Sequence, residues 1–289
     1  MSDNTARRGP TWPLRATWPL RAAASAAATA VLLGGCGAGG DKAAEPSPSA
    51  SARSAAPSAS GSPSSSASSP GGGTASLSPF EADPAKVPRT RRRAETVTQA
   101  VALRPAEWGA GFRAQQPAAS APGTVAVLDE QCRWQRRPLP ASVLASLSRY
   151  SELPGAGGRG TLKVTAVVTV HADVSAADQQ LSTTLEEPLR CRVQQVRTDE
   201  QIAGLMSAAS PYGEGGNTYA DDQVVEIGQY LSGASAQTYR WYVTRLGTVT
   251  VAVSVMGATG YTDDELVRYA SPAVTKMLDR VKDELGGKS

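Results

Sequence analysis

The stretch that most limits how this chain can fold is residues 37–88, which contain very few large apolar side chains. Ser, Ala, Pro and Gly dominate this segment. Such a composition buries too little apolar surface to offset the entropy lost on ordering, so we expect residues 36–93 to form a disordered linker. The folded part is therefore expected in residues 94–289, a length typical of one domain.

The segment before the linker has the pattern of a bacterial lipoprotein signal. Residues 1–21 carry four arginines and one acidic residue, and the twelve residues 22–33 are uncharged and apolar, too few to cross a bilayer as a helix. This run ends in Leu33, Gly34, Gly35 and Cys36, which resemble a lipobox. We expect residues 1–35 to be a signal peptide and a lipid on Cys36 to anchor the chain at the extracytoplasmic face of the cell membrane. A plain signal peptide cut nearby, with the cysteine present by chance, is the alternative.

Removal of this signal changes the charge balance of the chain. The remaining residues contain 25 basic and 25 acidic side chains, so the isoelectric point near 8.8 belongs largely to the signal. A neutral mature chain does not indicate nucleic-acid binding. Arg89, Arg91, Arg92 and Arg93 form a local basic run at the edge of the expected domain, which is either solvated or in contact with an anionic wall polymer.

Two cysteines, Cys132 and Cys191, fall within the expected domain. In an oxidising compartment an even pair predicts a disulfide, and closing a loop of about 60 residues contributes about 4 kcal/mol in the chain-entropy description. A metal or nucleophile role is the weaker alternative, because neither cysteine has a histidine or another cysteine at ligand spacing. We therefore expect no metal site and no cofactor.

Hydrophobic periodicity predicts alternating helices and strands. Capping signals begin helices near Ser175, Thr198 and Thr262, and Pro272 is expected to kink or split the last of them. The pattern predicts an α+β fold in which a mainly antiparallel sheet carries helices packed on one face. The expected helices cover residues 95–112, 139–150, 175–188, 198–206 and 262–286, and the expected strands cover residues 124–128, 162–170, 189–193, 224–231, 237–246 and 248–256.

Three features of residues 95–287 are shared with a known family. They are the Trp-Gly-Ala-Gly-Phe run at residues 108–112, Arg190 and Cys191 after a helix, and the Val-rich strand pair before the final amphipathic helix. In these features the chain resembles the PknH-like extracellular family, whose members are sensor-type domains of actinobacterial lipoproteins and receptor kinases. The resemblance implies a ligand-sensing or envelope-binding module and not an enzyme.

His171 is the only histidine, so any Ser-His-Asp hydrolase on this chain would have to use it. It lies at the end of a predicted strand beside Asp173, a place equally suited to a solvated loop. The chain has no Gly-x-Ser-x-Gly sequence to present a nucleophile, and we expect no catalytic residue.

A loop at residues 211–222 is the candidate ligand site. It combines glycines with Tyr212, Asn217, Tyr219 and Asp221, a composition able to bind a cation or a sugar. A solvated loop is the alternative, since the spacing is not that of an EF-hand.

Three aromatic side chains on one predicted strand supply a second candidate. Tyr239, Trp241 and Tyr242 cannot all face the same side, so at least one ring points away from the core. That ring either stacks on a ligand or covers the sheet.

These patterns favour an extracytoplasmic lipoprotein that senses or binds an envelope ligand or a partner protein without catalysing a reaction. The alternatives are a surface hydrolase using His171 and an adaptor that acts through protein contact alone. A deep polar pocket would favour the first, a nucleophile within reach of His171 the second, and a flat exposed apolar patch the third.

Overall fold

The computed structural model describes residues 79–286, which form one eight-stranded antiparallel sheet, a separate two-stranded hairpin and three helices. The helices are α1 (Arg91–Val101), α2 (Val174–Arg190) and α3 (Asp263–Leu285). The strands are β1 (Arg113–Ala119), β2 (Thr124–Leu128), β3 (Trp134–Pro138), β4 (Val143–Leu153), β5 (Leu162–His171), β6 (Val193–Arg197), β7 (Glu200–Pro211), β8 (Asp222–Ser232), β9 (Ser235–Leu246) and β10 (Val249–Met256).

The strand order of the large sheet is β1-β4-β5-β10-β9-β8-β7-β6, and β2 and β3 form the separate hairpin. The hairpin contacts β4 through β2 and β6 through β3. Because neighbouring strands are about 4.8 Å apart, β4 and β6 would be about 29 Å apart in a flat sheet, too far for one hairpin to reach both. The sheet is therefore curled, and the hairpin lies across its concave face.

The convex face carries most of the apolar core. Alternate residues of β5 and β10 point to this side, where α1 and α3 cover them. The period of two along the strands and the helical spacing along α3 both place apolar side chains at this interface. The central members of the core are fully or almost fully buried: Val97, Val101, Val164, Val168, Val251, Val253, Leu266, Ala270, Met277 and Val281.

The concave face is covered by α2 and by the β2–β3 hairpin. Leu181 of α2 packs against Val224, Val243 and Ala252 of three adjacent strands. The predicted α+β class, the antiparallel sheet and the disulfide are confirmed. The prediction that helices pack on one face holds for α1 and α3, whereas α2 lies on the other face, because the central strand β10 is buried on both sides.

Two predicted helices are strands in the structure. Residues 139–150 contain the start of β4, where Ala145 and Leu147 face the convex core. The apolar spacing of this short segment fits either a helix or a strand, and the segment forms a strand because it pairs with β5. The capping signal at Thr198 lies instead in the turn between β6 and β7, and the residues after it form β7.

The helix predicted to break at Pro272 is continuous. Pro272 is exposed, so the carbonyl that lacks its helical donor can be hydrated. The start of this helix is as predicted, because Thr262 and Glu265 form a reciprocal capping box.

The fold begins before the predicted boundary at residue 94. Phe80 and Ala82 pack against the core, and Ala82 forms an isolated bridge with Gly286 near the chain's other end. The boundary therefore falls inside α1, whose first turn contains Arg91, Arg92 and Arg93 of the basic run. The signal peptide, Cys36 and residues 36–78 of the linker lie outside the described residues and stay predictions. Between residues 79 and 286, no helix is both long enough and apolar enough to cross a membrane.

The contact between α3 and the sheet should supply much of the stability. Leu266 is 1% exposed, whereas Leu189 at the end of α2 is 83% exposed. We expect Leu266→Ala to lower the free energy of unfolding by about 2–5 kcal/mol, because it removes buried methyl groups and leaves a cavity. Leu189→Ala, the matched control, should change it by less than about 0.5 kcal/mol in the same urea titration. Equal effects of the two substitutions would contradict this description of the core.

Candidate functional site

The predicted disulfide between Cys132 and Cys191 is present. Cys132 lies in the turn between β2 and β3, and Cys191 caps the C-terminal end of α2. The Sγ atoms are 2.08 Å apart and the Cα atoms 5.5 Å apart. The bond therefore fixes the tip of the hairpin to the end of the helix that covers the concave face.

Hydrogen bonds reinforce the same junction. The guanidinium of Arg190 donates to the backbone oxygens of Leu128 (3.2 Å) and Asp129 (2.9 Å) at the end of β2. The backbone N–H of Gln195 in β6 donates to the carbonyl of Cys132 at 2.8 Å. The hairpin tip is thus held to α2 and to the edge of the sheet at once.

Two adjoining cavities remain between the hairpin and the concave face. The hairpin cavity, with a volume of about 270 Å³, extends toward Arg136, Tyr239 and Met256. The α2 cavity, with a volume of about 280 Å³, extends toward His171 and Glu187. Both share a boundary formed by Ala126, Trp134, Val167 and Trp241.

The shared boundary contains two indole rings. Trp134 of the hairpin and Trp241 of β9 have ring centroids 6.3 Å apart. The Nε1–H of Trp134 donates to Oε1 of Gln194 at 2.9 Å, which fixes the orientation of its ring. Aromatic and aliphatic side chains form most of the lining of the hairpin cavity and about half of that of the α2 cavity, so the space is mainly apolar with a polar end rather than a deep polar pocket.

The polar end of the α2 cavity contains His171. Its Nε2 lies 2.8 Å from Oε1 of Gln180 and 3.3 Å from Oγ1 of Thr250. Burial lowers the pKa of His171, which keeps the ring neutral, and its buried Nδ1 has no hydrogen-bond partner among residues 79–286. The Asp173 carboxylate accepts from the N–H of Ala176 at the start of α2. In this arrangement no carboxylate orients the histidine, as a Ser-His-Asp triad requires.

Two neighbouring carboxyl groups lie at this side of the fold: Glu187 lines the α2 cavity and is partly buried, and Glu226 is buried. Burial and the neighbouring charge of Glu226 raise the pKa of Glu187 to about 8, and burial raises the pKa of Glu226 to about 7 against the opposing hydrogen bond from Ser207. Burial, together with these two carboxyl groups, also raises the pKa of Tyr239. A substantial fraction of both carboxyl groups is therefore neutral near pH 7.

The candidate loop residues lie between β7 and β8, away from these cavities. Asn217 is buried and holds the loop, since its Nδ2 donates to the carbonyls of Ser210 and Ala220. The Asp221 carboxylate accepts from the backbone N–H of Gly247 and pairs with Arg245 at 3.2 Å. Tyr219 donates to the amide oxygen of Gln223, and Tyr212 is partly buried beside them. Ligand binding by this loop stays a prediction. In the structure, the side chains of Asn217 and Asp221 already have hydrogen-bond or ion-pair partners within the fold.

Among the candidates from the sequence, the three aromatic residues of β9 are the ones that include residues of the observed cavities. Trp241 and Tyr239 face the concave side and line the hairpin cavity, whereas Tyr242 belongs to the convex core. Sequence reasoning missed Trp134, Glu187 and Glu226. Single acidic residues in amphipathic segments resemble solvent-facing positions, and these two become neighbours only because α2 packs on β8.

Comparison with known proteins assigns no family. The chain matches no protein-family model, and no curated protein shows significant similarity to it. No group of three or more potential metal ligands occurs within residues 79–286.

The buried carboxyl pair predicts a pH-dependent stability. The folded-state pKa values of Glu187 and Glu226 lie above the ordinary value of 4.5, so the folded state binds more protons than the unfolded state at intermediate pH. The contribution of the two protonated groups to the free energy of unfolding is therefore fully present below pH 4.5 and is lost as the pH rises through 7 and 8. Urea unfolding should show the free energy of unfolding falling by about 1–2 kcal/mol per unit between about pH 6.5 and 8.

The double substitution Glu187→Gln and Glu226→Gln should remove most of that slope. Glu186→Gln, at the exposed neighbouring position of α2, is the control and should keep it. Because burial lowers the pKa of His171 from 6.5, this histidine affects stability mainly below the chosen range. An equal slope in the double variant and the wild type would contradict the assignment.

Proposed function

We propose that this protein is a non-enzymatic binding module that holds an apolar small molecule of the cell envelope in the two cavities beneath the β2–β3 hairpin. The observation that carries the proposal is the apolar space around Trp134 and Trp241. Apolar pockets with a few polar groups are typical of small-molecule sites, which usually have volumes from about 300 to 1,000 Å³. The two adjoining cavities fall in that range when one ligand occupies both.

The attachment of the β2–β3 hairpin to α2 supports a binding site that is ordered before the ligand binds. The disulfide between Cys132 and Cys191 and the bonds from Arg190 limit how far the hairpin can collapse or open. A site that is already ordered loses less conformational entropy on binding. A lipid on Cys36 and a linker of about 50 residues, with a span of roughly 40 Å, would let the domain sample the envelope beyond the membrane surface.

The proposal extends the resemblance to extracellular sensor-type domains. In such an arrangement, ligand binding by the domain would either start a signal or load the ligand for transport. The membrane would be the anchor of the domain rather than its target.

A cavity-filling variant tests the proposal. The probe is N-phenyl-1-naphthylamine, a neutral dye that fluoresces in apolar surroundings, and the protein is the full chain with Cys36→Ala, which removes the predicted lipid. We expect saturable binding, weakened at least about tenfold by Ala126→Trp because the indole fills the shared boundary.

Ala236→Trp is the matched control, at an exposed strand position outside both cavities. It should leave the dye affinity unchanged. Circular dichroism and a urea titration confirm that both variants fold. Failure of the wild type to bind, or equal binding by the Ala126→Trp variant, would overturn the proposed function.

A further inference from the structure

Arg136 of β3 lines the hairpin cavity and makes hydrogen bonds only to uncharged oxygens. Its Nε donates to Oγ1 of Thr124 at 3.1 Å, its Nη2 to the carbonyl of Thr124 at 2.6 Å, and its Nη1 to Oγ of Ser148 at 3.2 Å. The side chain is partly buried between the hairpin and β4. A guanidinium has five N–H donors, so two of them are not used by these three bonds.

This positive charge has no carboxylate partner in the described part of the chain. Arg197 also lines the hairpin cavity, but its Nη1 lies 2.7 Å from Oε2 of Glu200. No acidic side chain between residues 79 and 286 forms a salt bridge with Arg136. Burial lowers the pKa of Arg136, which shows that the charged form bears a desolvation cost. An anion bound beside it would offset that cost.

The charges at the two ends of the paired cavities differ. Arg136 lines only the hairpin cavity and Glu187 only the α2 cavity, whereas Trp134 and Trp241 line both. A carboxylate group would be attracted to the first end and repelled from the second whenever Glu187 is ionised. A ligand with one negative charge and a long apolar part therefore has one favoured orientation.

We propose that the ligand is a single-chain amphiphile with a carboxylate head group, held by Arg136 while its alkyl chain lies between Trp134 and Trp241. A carboxylate accepts two parallel N–H bonds from a guanidinium, and its single charge matches that of Arg136, the arginine of the cavity lining that has no acidic partner within residues 79–286. This inference rests on the proposed function and specifies its ligand class.

Competition among three surfactant-like molecules of equal chain length tests the head group. Dodecanoate, dodecanol and dodecylamine, below their micelle-forming concentrations at about pH 7.5, compete with the same neutral dye on the full chain with Cys36→Ala. Hydrogen bonds to charged groups are stronger than those between neutral groups, so dodecanoate should displace the dye at a concentration at least about tenfold lower than dodecanol. Arg136→Gln should remove this preference when the displacing concentrations are corrected for the affinity of the same variant for the dye.

Arg137→Gln is the matched control, because Arg137 is the exposed neighbour on β3 and lines neither cavity. It should keep the preference for dodecanoate. Arg136→Lys, which retains the charge but not the paired donors, should keep part of it and serves if the glutamine variant does not fold.

The outcomes separate this inference from the function on which it rests. If the dye binds but dodecanol competes as well as dodecanoate, or if dodecylamine competes best, the carboxylate ligand is excluded and the apolar site stands. If Arg136→Gln folds and keeps the preference, Arg136 is not the head-group site. If the dye does not bind at all, the proposed function and the inference fail together.

Discussion

The disulfide between Cys132 and Cys191 is the constraint on which the concave side of the molecule depends. A two-stranded hairpin is marginally stable by itself, and β2 and β3 are not part of the large sheet. The covalent bond fixes the hairpin tip to the end of α2, and by the chain-entropy description a bond that closes a loop of this length contributes about 4 kcal/mol. With the tip held in place, the hairpin bridges the two halves of the curled sheet and encloses space rather than filling it.

The two faces of the sheet have different roles because the same strands are apolar on one side and mixed on the other. On the convex side, the valines of β5 and β10 pack against α1 and α3 in a continuous core. On the concave side, the apolar residues divide into two small clusters around Leu181 and Ile202, and the same side carries His171, Glu226 and two adjoining cavities. The convex core supplies the stability that allows polar and charged groups to stay buried on the concave side.

The sequence predicts the elements whose pattern is local. Alternation in β8, β9 and β10, the capping box at Thr262 and the cysteine pair are all as expected. Predictions were wrong where a long-range partner decides the outcome: β4 is a strand because β5 pairs with it, and β7 because β8 does. The cavities could be predicted only in part, through the outward ring of Trp241. The curl of the sheet and the crossing of the hairpin depend on pairings distant in sequence, and they alone bring Trp134 and Glu187 beside that ring.

Hydrogen exchange measured residue by residue tests most directly whether the disulfide maintains the covered site. The comparison is between the wild type and a variant with Cys132→Ala and Cys191→Ala. The account predicts that amides of β2 and β3 exchange much faster in the variant while those of β5 and β10 stay protected, because the hairpin opens locally and the convex core does not. Unchanged protection of the hairpin, or an equal acceleration in the hairpin and in β10, would contradict it.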